Sequence, residues 1–190
     1  MNKVELRTQR LELSAPTFAD VDAIFLACQD AELQRRVPVP VPYERESAEF
    51  YVRELADGGW DRGTHCTWAV RVDGEFAVIA SLDGIADGCA ECGFWMVPAF
   101  RGRGFVTEAM TAVLSFGFAP HPDGLSLERV GWSAFAGNLA SARVAQKVGF
   151  RFEGSRRKGW VGRVGREDLW LAGVLSGDDR SEATAWPVLG

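Results

Sequence analysis

The sequence predicts a fold of the α/β (α+β) class, and three observations support this prediction. The chain has 190 residues, of which 47% are hydrophobic and 25% charged, which is typical of one globular domain with a sizeable core. Alternating apolar runs separated by Asp-Gly dipeptides in the middle of the chain predict an antiparallel meander. The second half reads as strand, helix, strand, helix and strand, which is the order of an α/β protein.

The N-terminal part is predicted to contain one short strand and two helices. Leu11 to Leu13 fit the strand, and Thr17-Phe-Ala-Asp20 resembles a capping box that opens an amphipathic helix near residue 18. Three prolines at positions 38, 40 and 42 predict an extended surface loop, because proline interrupts a helix. The apolar face of the second helix is predicted to carry Ala48, Tyr51, Val52 and Leu55.

The meander is predicted to consist of the strands Trp68–Val72, Phe76–Leu82 and Cys89–Val97. Asp73-Gly74 and Asp87-Gly88 lie between them and supply the positive φ that tight hairpin turns require.

The remaining elements follow a basic, glycine-rich link at residues 101–104. A helix is predicted to run from Val106 to about Phe118, and Gly149 is expected to cap a second one. The basic stretch Arg156–Arg166 is predicted to be a loop, and the polar tail from residue 176 to residue 190 is expected to be poorly ordered. The other predicted elements are the strand Leu127–Ala134, the helix Leu139–Val148, and the strands Phe150–Gly154 and Asp168–Val174.

Composition disfavours several function classes. We find no apolar run long enough to span a membrane, and no apolar stretch of a signal peptide, so we expect a cytoplasmic protein without a membrane partner. The formal net charge of −5 argues against nucleic acid as the partner. Cys89 and Cys92 should point to opposite faces of a strand, so we expect buried thiols rather than a metal site.

Residues 91–107 carry the most informative pattern: a strand, an Arg-Gly-Arg-Gly turn and the start of a helix. A helix N-terminus leaves amide groups unpaired and carries partial positive charge, so this segment is suited to bind an anion. The chain contains no Gly-Lys dipeptide, which excludes a standard Walker loop. Thr107 stands where the dinucleotide fingerprint needs its third glycine.

Arg101-Gly-Arg-Gly-Phe-Val106 resembles the acyl-CoA pyrophosphate loop of the GCN5-related N-acetyltransferases (GNAT), although Val106 replaces the usual small residue. The segment from Asn138 to Phe150 resembles the second motif of that family, in which an Asn opens a helix that ends in Gly-Phe. The resemblance extends from Leu6 to Leu175, which predicts a domain over residues 6–175. Within the family, the chain looks most like the branch of ribosomal-protein N-terminal acetyltransferases.

The resemblance implies a mixed, mostly antiparallel sheet flanked by helices, in which two splayed strands, Cys89–Val97 and Leu127–Ala134, hold acetyl-CoA. The acetyl group would pass directly to a primary amine, and no metal is required. A homodimer is plausible from the family. The candidate cofactor-binding residues are Met96, Val97, Arg101, Gly102, Arg103, Gly104, Phe105, Val106 and Asn138.

Two residues are candidates for catalysis. Glu91 precedes the loop, and partial shielding there would raise its pKa toward that of a general base; alternatively, it is a structural carboxylate. Many family members use a Tyr to protonate the leaving thiolate, but Ala145 occupies that position. Ser141 resembles the serine used instead in the ribosomal-protein branch, or it satisfies a backbone group at the helix start. Asn138 caps its helix, contacts the pantetheine arm, or does both.

The predicted function is an acetyl-CoA-dependent N-acetyltransferase acting on a protein N-terminus or a small-molecule amine. A non-catalytic acyl-CoA-binding or regulatory domain is the alternative, because the missing Tyr and the Val106 departure both leave room for it. The sequence does not identify the acceptor.

Overall fold

The structure, a computed structural model that describes residues 1–163, 165–181 and 184–189, contains one eight-stranded sheet. The strands are β1 Leu6–Arg7, β2 Glu12–Ser14, β3 His65–Val72, β4 Glu75–Ala86, β5 Cys89–Met96, β6 Arg129–Phe135, β7 Arg151–Gly162 and β8 Gly165–Leu175. Their spatial order is β1-β2-β3-β4-β5-β6-β8-β7. Every neighbouring pair is antiparallel except β5 and β6.

Helices cover both faces of the sheet. They are α1 Val21–Ala27, α2 Ala31–Arg36, α3 Arg45–Phe50, α4 Gly58–Arg62, α5 Phe105–Phe118 and α6 Leu139–Lys147. Cys92 belongs to the large core under α5 and α6, whereas Trp95 packs with the cluster formed by α1, α2 and α3. Because side chains alternate along a strand, these two residues of β5 mark its opposite faces.

The predicted meander is confirmed. Asp73 and Gly74 connect β3 to β4 with φ of 51° and 83°, and Asp87 and Gly88 connect β4 to β5 with φ of 50° and 73°. Two successive residues with positive φ match the right-handed twist of a tight hairpin, which is why Asp-Gly marks both turns.

The first helix also begins as predicted, because Thr17 and Asp20 form a capping box at the 3₁₀ turn Phe18–Asp20 that leads into α1. The predicted apolar face of the second helix is partly wrong, since Leu55 is 48% exposed. Residues Tyr51–Asp57 adopt a π-helix between α3 and α4. Because a π-helix has a wider turn than an α-helix, the buried residues are spaced four apart: Ala48, Val52, Ala56 and Trp60.

The central feature is the divergence of β5 from β6. The two strands pair in parallel only at Cys89 with Arg129, Ala90 with Val130, and Glu91 with Gly131. Beyond this point β5 continues beside β4 to Met96, while β6 continues beside β8 to Phe135. The expected pair of splayed strands is therefore present, and Glu91 lies at its vertex.

Two expectations about the C-terminal part are wrong. Residues 156–162 belong to β7 rather than to a loop; β7 is the last strand of the sheet, and its mostly exposed residues show little apolar alternation. The expected poorly ordered tail does not hold for Trp186, which is 3% exposed and lies in the main core. Residues 182, 183 and 190 of that tail lie outside the described residues.

No helix among the described residues is long and apolar enough to cross a membrane.

Candidate active site

A cavity of about 500 Å³ opens where β5 and β6 diverge. Its loop side is formed by residues 101, 102 and 104–107, by Asn138 and by residues 140–147 of α6. Its α2 side is formed by residues 32–38, which belong to α2 and the start of the proline loop. Residues 92–96 of β5 and 132–134 of β6 line the space between the two sides. The cavity therefore reaches through the gap between the strands.

Backbone conformation shapes the loop side. Gly102 and Gly104 have φ of 78° and 80°, a region that residues with a Cβ rarely adopt. Gly104 is the N-cap of α5, and the first helical hydrogen bond runs from Glu108 N to Gly104 O (3.1 Å). The amides of residues 105–107 precede this pattern, so they are available to an anion. Phe105 and Val106 are 3% and 7% exposed, so they contribute backbone while their side chains anchor the turn.

The two loop arginines differ in their surroundings. Arg101 lines the cavity, and its Nη2 donates to Asp30 Oδ1 (2.5 Å), the N-cap residue of α2. The Arg103 guanidinium lies over the Phe105 ring at 4.8 Å and is not among the cavity-lining groups. Arg103 therefore braces the loop, whereas Arg101 connects the loop side to the α2 side.

Arg10 is a further basic residue at the loop that the sequence reading did not identify. Its guanidinium lies 4.8 Å from the centre of the Phe105 ring, and its Nη1 donates to the carbonyl of Arg103 (3.3 Å). An ion pair with Glu108 (2.6 Å) holds it there. Because these contacts join residues about a hundred positions apart, local sequence carries no signal for them.

The backbone of β5 corrects one predicted contact. Val97 N donates to Ala77 O (2.9 Å), so the Val97 amide is not available to polarise a carbonyl in the cavity. Successive amides along a strand point to opposite edges, so the Met96 amide points away from β4, toward the gap. Met96 also lines the cavity. Of the two predicted backbone donors, only the Met96 amide stays a candidate.

Glu91 lies at the vertex of the gap but is not among the cavity-lining residues. Its carboxylate lies across Gly131, where a Cβ would overlap it. Gly93, two residues further along the same face, does line the cavity. The spacing of a strand puts the α-carbons of Glu91 and Gly93 about 6.6 Å apart, so Glu91 is two residues from the part of β5 that lines the cavity.

Glu91 is an exposed residue, yet its surroundings shift its carboxyl toward the protonated form relative to an ordinary glutamate, which raises its pKa. Loss of hydration raises the pKa of this carboxyl, and the nearby charges of Arg129 and Arg156, which lower it, are opposed by Glu153 and Asp83. Arg129 is itself engaged by both carboxylate oxygens of Glu153, at 2.8 and 2.7 Å. A carboxylate with a raised pKa beside a cavity is suited to accept a proton.

Asp83 is a further carboxylate beside Glu91, and sequence reasoning missed it. It stands opposite Glu91 on β4, and His65 of β3 stands opposite Asp83 in turn. Ser81 Oγ donates to Asp83 Oδ2 (2.8 Å), while burial raises the pKa of Asp83. These residues align only because the register of three strands brings them together, which no local motif predicts.

The start of α6 brings Asn138 and Ser141 together. Asn138 Oδ1 accepts a hydrogen bond from Ser141 N (3.3 Å), so the predicted capping role of Asn138 is confirmed. Its amide nitrogen is left to donate into the cavity, which Asn138 also lines. Ser141 lines the cavity too, and its Oγ accepts from Trp132 Nε1 (3.1 Å). Ala145, at the position of the family Tyr, is fully buried.

Four charged residues of the lining were not predicted. Arg143 and Lys147 come from α6, where they are four residues apart and thus share one helix face, a signal that helical spacing could have supplied. Glu32 and Arg36 come from α2, where they form an ion pair (3.0 Å). The sequence signal that could have indicated α2 is its N-cap residue, Asp30, whose side chain accepts a hydrogen bond from Leu33 N.

These groups fit the phosphates and the extended arm of coenzyme A. The loop supplies helix-start amides, Arg143 and Lys147 supply positive charge, and the gap between β5 and β6 supplies a narrow slot. The expectation of buried thiols is confirmed for Cys92 and wrong for Cys89, which is exposed, so the two thiols do not form a shared site. Within residues 1–163, 165–181 and 184–189, no group of three His, Cys, Asp or Glu residues is placed to hold a metal ion.

Comparisons with known proteins agree with this geometry. The family model described as acetyltransferase (GNAT) domain matches residues 10–151. The uncharacterised N-acetyltransferase YoaA of Bacillus subtilis is 28% identical over 157 residues, which span 80% of this chain and 86% of YoaA. The putative ribosomal N-acetyltransferase YdaF of the same organism is 36% identical over 70 residues, 37% of this chain and 36% of YdaF.

Solved structures share the fold. The ribosomal L7/L12 α-N-protein acetyltransferase RimL, in complex with coenzyme A, superposes with a TM-score of 0.81 at 21% identity, over 90% of this chain and 98% of RimL. Mycobacterium smegmatis RimJ, in complex with CoA-disulfide, gives a TM-score of 0.78 at 22% identity, over 91% and 86% of the two chains.

Proposed function

The chain belongs to the GNAT family of N-acetyltransferases, and we propose that it moves the acetyl group of acetyl-CoA directly to a primary amine. The observation that carries this proposal is the cavity that passes between the splayed strands and joins the loop side to the α2 side. Such a passage lets two substrates meet from opposite faces of one sheet. We assign the activity to residues 6–175, and a homodimer and a cytoplasmic location stay predictions.

The loop side is the proposed cofactor site. Acetyl-CoA, when bound, supplies the activated acetyl thioester. The amides around Gly102 and Gly104 and the first turn of α5 would hold the pyrophosphate, and Arg101 would add charge when released from Asp30. Asn138 would contact the arm, and the Met96 amide would stabilise the negative charge that develops on the carbonyl oxygen.

The α2 side is the proposed acceptor entrance. Glu91, Gly93 and Trp95 share the face of β5 that α1, α2 and α3 cover, so an amine arriving past α2 meets the strand on the side of Glu91. Glu91 would take the ammonium proton through one water, leaving the nitrogen lone pair free to attack. The new C–N bond forms as the C–S bond breaks. The nitrogen then loses its second proton, and the departing thiolate takes up one proton to become the thiol.

Ser141 is the proposed partner of the sulfur. It lines the cavity one helical turn after Asn138 and replaces the family Tyr, whose position is the buried Ala145. A serine hydroxyl is too weak an acid to be fully deprotonated in this step, so its role is to donate a hydrogen bond to the sulfur as negative charge develops.

A protein N-terminus is the acceptor that we favour. The relatives with solved structures include acetyltransferases of ribosomal proteins, among them RimL and the ribosomal-protein-S5-alanine acetyltransferase of Vibrio fischeri. The cavity is open beside α2, where Glu32 and Arg36 offer both signs of charge to an extended peptide.

The test is acetyl-CoA turnover with peptides, polyamines and aminoglycosides, measured by thiol release and by the mass of the product. We expect acetylation of peptides with a free N-terminus and none of the same peptides with a blocked one. Calorimetry with acetyl-CoA, run in parallel, separates binding from turnover. If the wild type binds acetyl-CoA yet acetylates no amine in the panel, the chain is a binding or regulatory domain and the proposal fails.

A further inference from the structure

The hydroxyl of Ser141 has a fixed hydrogen-bonding role on one side. Trp132 Nε1 lies 3.1 Å from Ser141 Oγ, and both residues line the cavity. An indole N–H can only donate, so the Ser141 oxygen must be the acceptor in this contact. The hydroxyl hydrogen must therefore point away from Trp132.

Packing holds the Trp132 ring in the position from which its N–H donates to Ser141. Its side chain, on β6, is 2% exposed, and its ring packs against Trp186 with centroids 5.4 Å apart. Trp186 is also buried, and its Nε1 donates to Phe150 O (3.1 Å). Gln146 Nε2, on the same helix as Ser141, donates to Thr184 O (2.9 Å). The tail segment thus supports both Trp132 and α6 from behind.

We propose that Trp132 is a positioning residue that directs the Ser141 O–H toward the sulfur of coenzyme A, and that Trp186 of the C-terminal tail supports it. This inference rests on the proposed function, because it needs coenzyme A in the cavity. A hydroxyl that accepts a hydrogen bond becomes a better donor, so the indole N–H strengthens the contact as well as orienting it. Neither tryptophan touches the reacting atoms in this scheme.

The test compares the affinities of coenzyme A and desulfo-coenzyme A, which lacks the sulfur, by calorimetry at pH 9. The raised pH increases the fraction of the coenzyme A thiol that is ionised. We expect the wild type to prefer coenzyme A by about two- to tenfold, the size of one hydrogen bond. In Trp132→Phe, which keeps a ring but loses the N–H, and in Ser141→Ala, the preference should fall to about onefold.

A double-mutant cycle separates positioning from packing. Adding Trp132→Phe to Ser141→Ala should not change the preference further, because the only route from Trp132 to the sulfur is then gone. A purely structural role would weaken binding of both ligands equally and leave the preference intact in Trp132→Phe. That outcome overturns the inference.

A measurement on a variant that retains Trp132 covers the case in which Trp132→Phe does not fold. In Ser141→Ala the indole N–H resonance of Trp132 should shift upfield, because its acceptor is lost. An unchanged resonance contradicts the inference. If the wild type binds neither ligand, the proposed function itself fails, which differs from binding both ligands without preference.

Discussion

The loop side and the α2 side of the cavity are built by different means. On the loop side, one continuous stretch before α5 offers backbone groups, with two glycines at positive φ, and α6 adds side chains beside it. On the α2 side, side chains of a six-residue helix line the cavity, and distant residues hold that helix: Arg101 through Asp30, and Arg163 through the carbonyls of Gln34 and Val39. The difference indicates that the backbone of the proposed cofactor loop is shaped mainly by local sequence, whereas the proposed acceptor entrance depends on tertiary contacts.

Glu91 lies between the two sides, so its loss should separate catalysis from cofactor binding. We expect Glu91→Gln to lower kcat by about 10²- to 10⁴-fold, the usual contribution of a general base, with an unchanged affinity for coenzyme A. A kcat within threefold of wild type would contradict this role. Glu12→Gln, an exposed carboxylate on β2, is the matched control.

The pH dependence sharpens the same prediction. Because loss of hydration raises the pKa of Glu91 and the base must be ionised, activity should fall as the pH drops through a value above the usual glutamate range. Asp83→Asn should move this acid limb to lower pH, since it removes one of the charges that raise the Glu91 pKa. A limb that does not move would assign the titration to another group.

Because the loop side offers backbone groups, Gly104→Ala should weaken the binding of coenzyme A, with an effect smaller than that of Glu91→Gln on kcat. A Cβ there has room, with the nearest atom, Arg10 Nη2, at 3.7 Å, so the penalty comes from the φ of 80°. Holding a residue with a Cβ in this conformation costs about 1–2 kcal/mol. If the loop avoids this cost by changing its conformation in the free protein, coenzyme A should bind about five- to thirtyfold more weakly. Calorimetry with coenzyme A measures it.

Gly74→Ala is the matched control, because Gly74 has a φ of 83° in the β3–β4 turn and open space around its Cβ position. It should lose similar stability and no affinity. Equal affinities for the two variants would show that the loop backbone does not bind the cofactor.

The same contrast explains how much the sequence could predict. The meander, α5, α6 and the loop follow from Asp-Gly turns, helical periods and caps, all of which act within a few residues. The sequence also placed Glu91 on β5 and Asn138 at the start of α6. These predictions succeeded because neighbouring residues determine the backbone there.

Other features depend on contacts that sequence distance conceals. The His65, Asp83 and Glu91 row exists only through strand register, and Trp186 enters the core from a tail that reads as polar. The Val97 amide was expected to be free, but β4 uses it. The π-helix shifted the apolar face away from Leu55, since a change of helical period is not visible in the pattern of residues.

Arg163 tests the claim that tertiary contacts hold the α2 side. Its Nε donates to Gln34 O (3.0 Å) and its Nη2 to Val39 O (2.5 Å) from the tip of the β7–β8 hairpin. Arg163→Ala should raise the KM for the acceptor by about two- to fivefold, since exposed hydrogen bonds contribute modestly, and leave coenzyme A affinity unchanged. Arg157→Ala, an exposed arginine of β7, is the control. A parallel loss of coenzyme A affinity would contradict the separation of the two sides.

The Arg101–Asp30 ion pair gives the smallest expected effect, because the two side chains are 42% and 26% exposed and such pairs contribute about 0.2–1 kcal/mol. Asp30→Asn keeps a side-chain oxygen to cap α2 but removes the charge that holds Arg101. Arg101 would then be free for the pyrophosphate, so coenzyme A should bind up to about fivefold more tightly. Asp22→Asn on α1, which removes an exposed ion pair with Arg45 of α3, should have no such effect. Weaker binding in Asp30→Asn would instead mean that Asp30 holds Arg101 in its binding position, so that the α2 side helps to build the cofactor site.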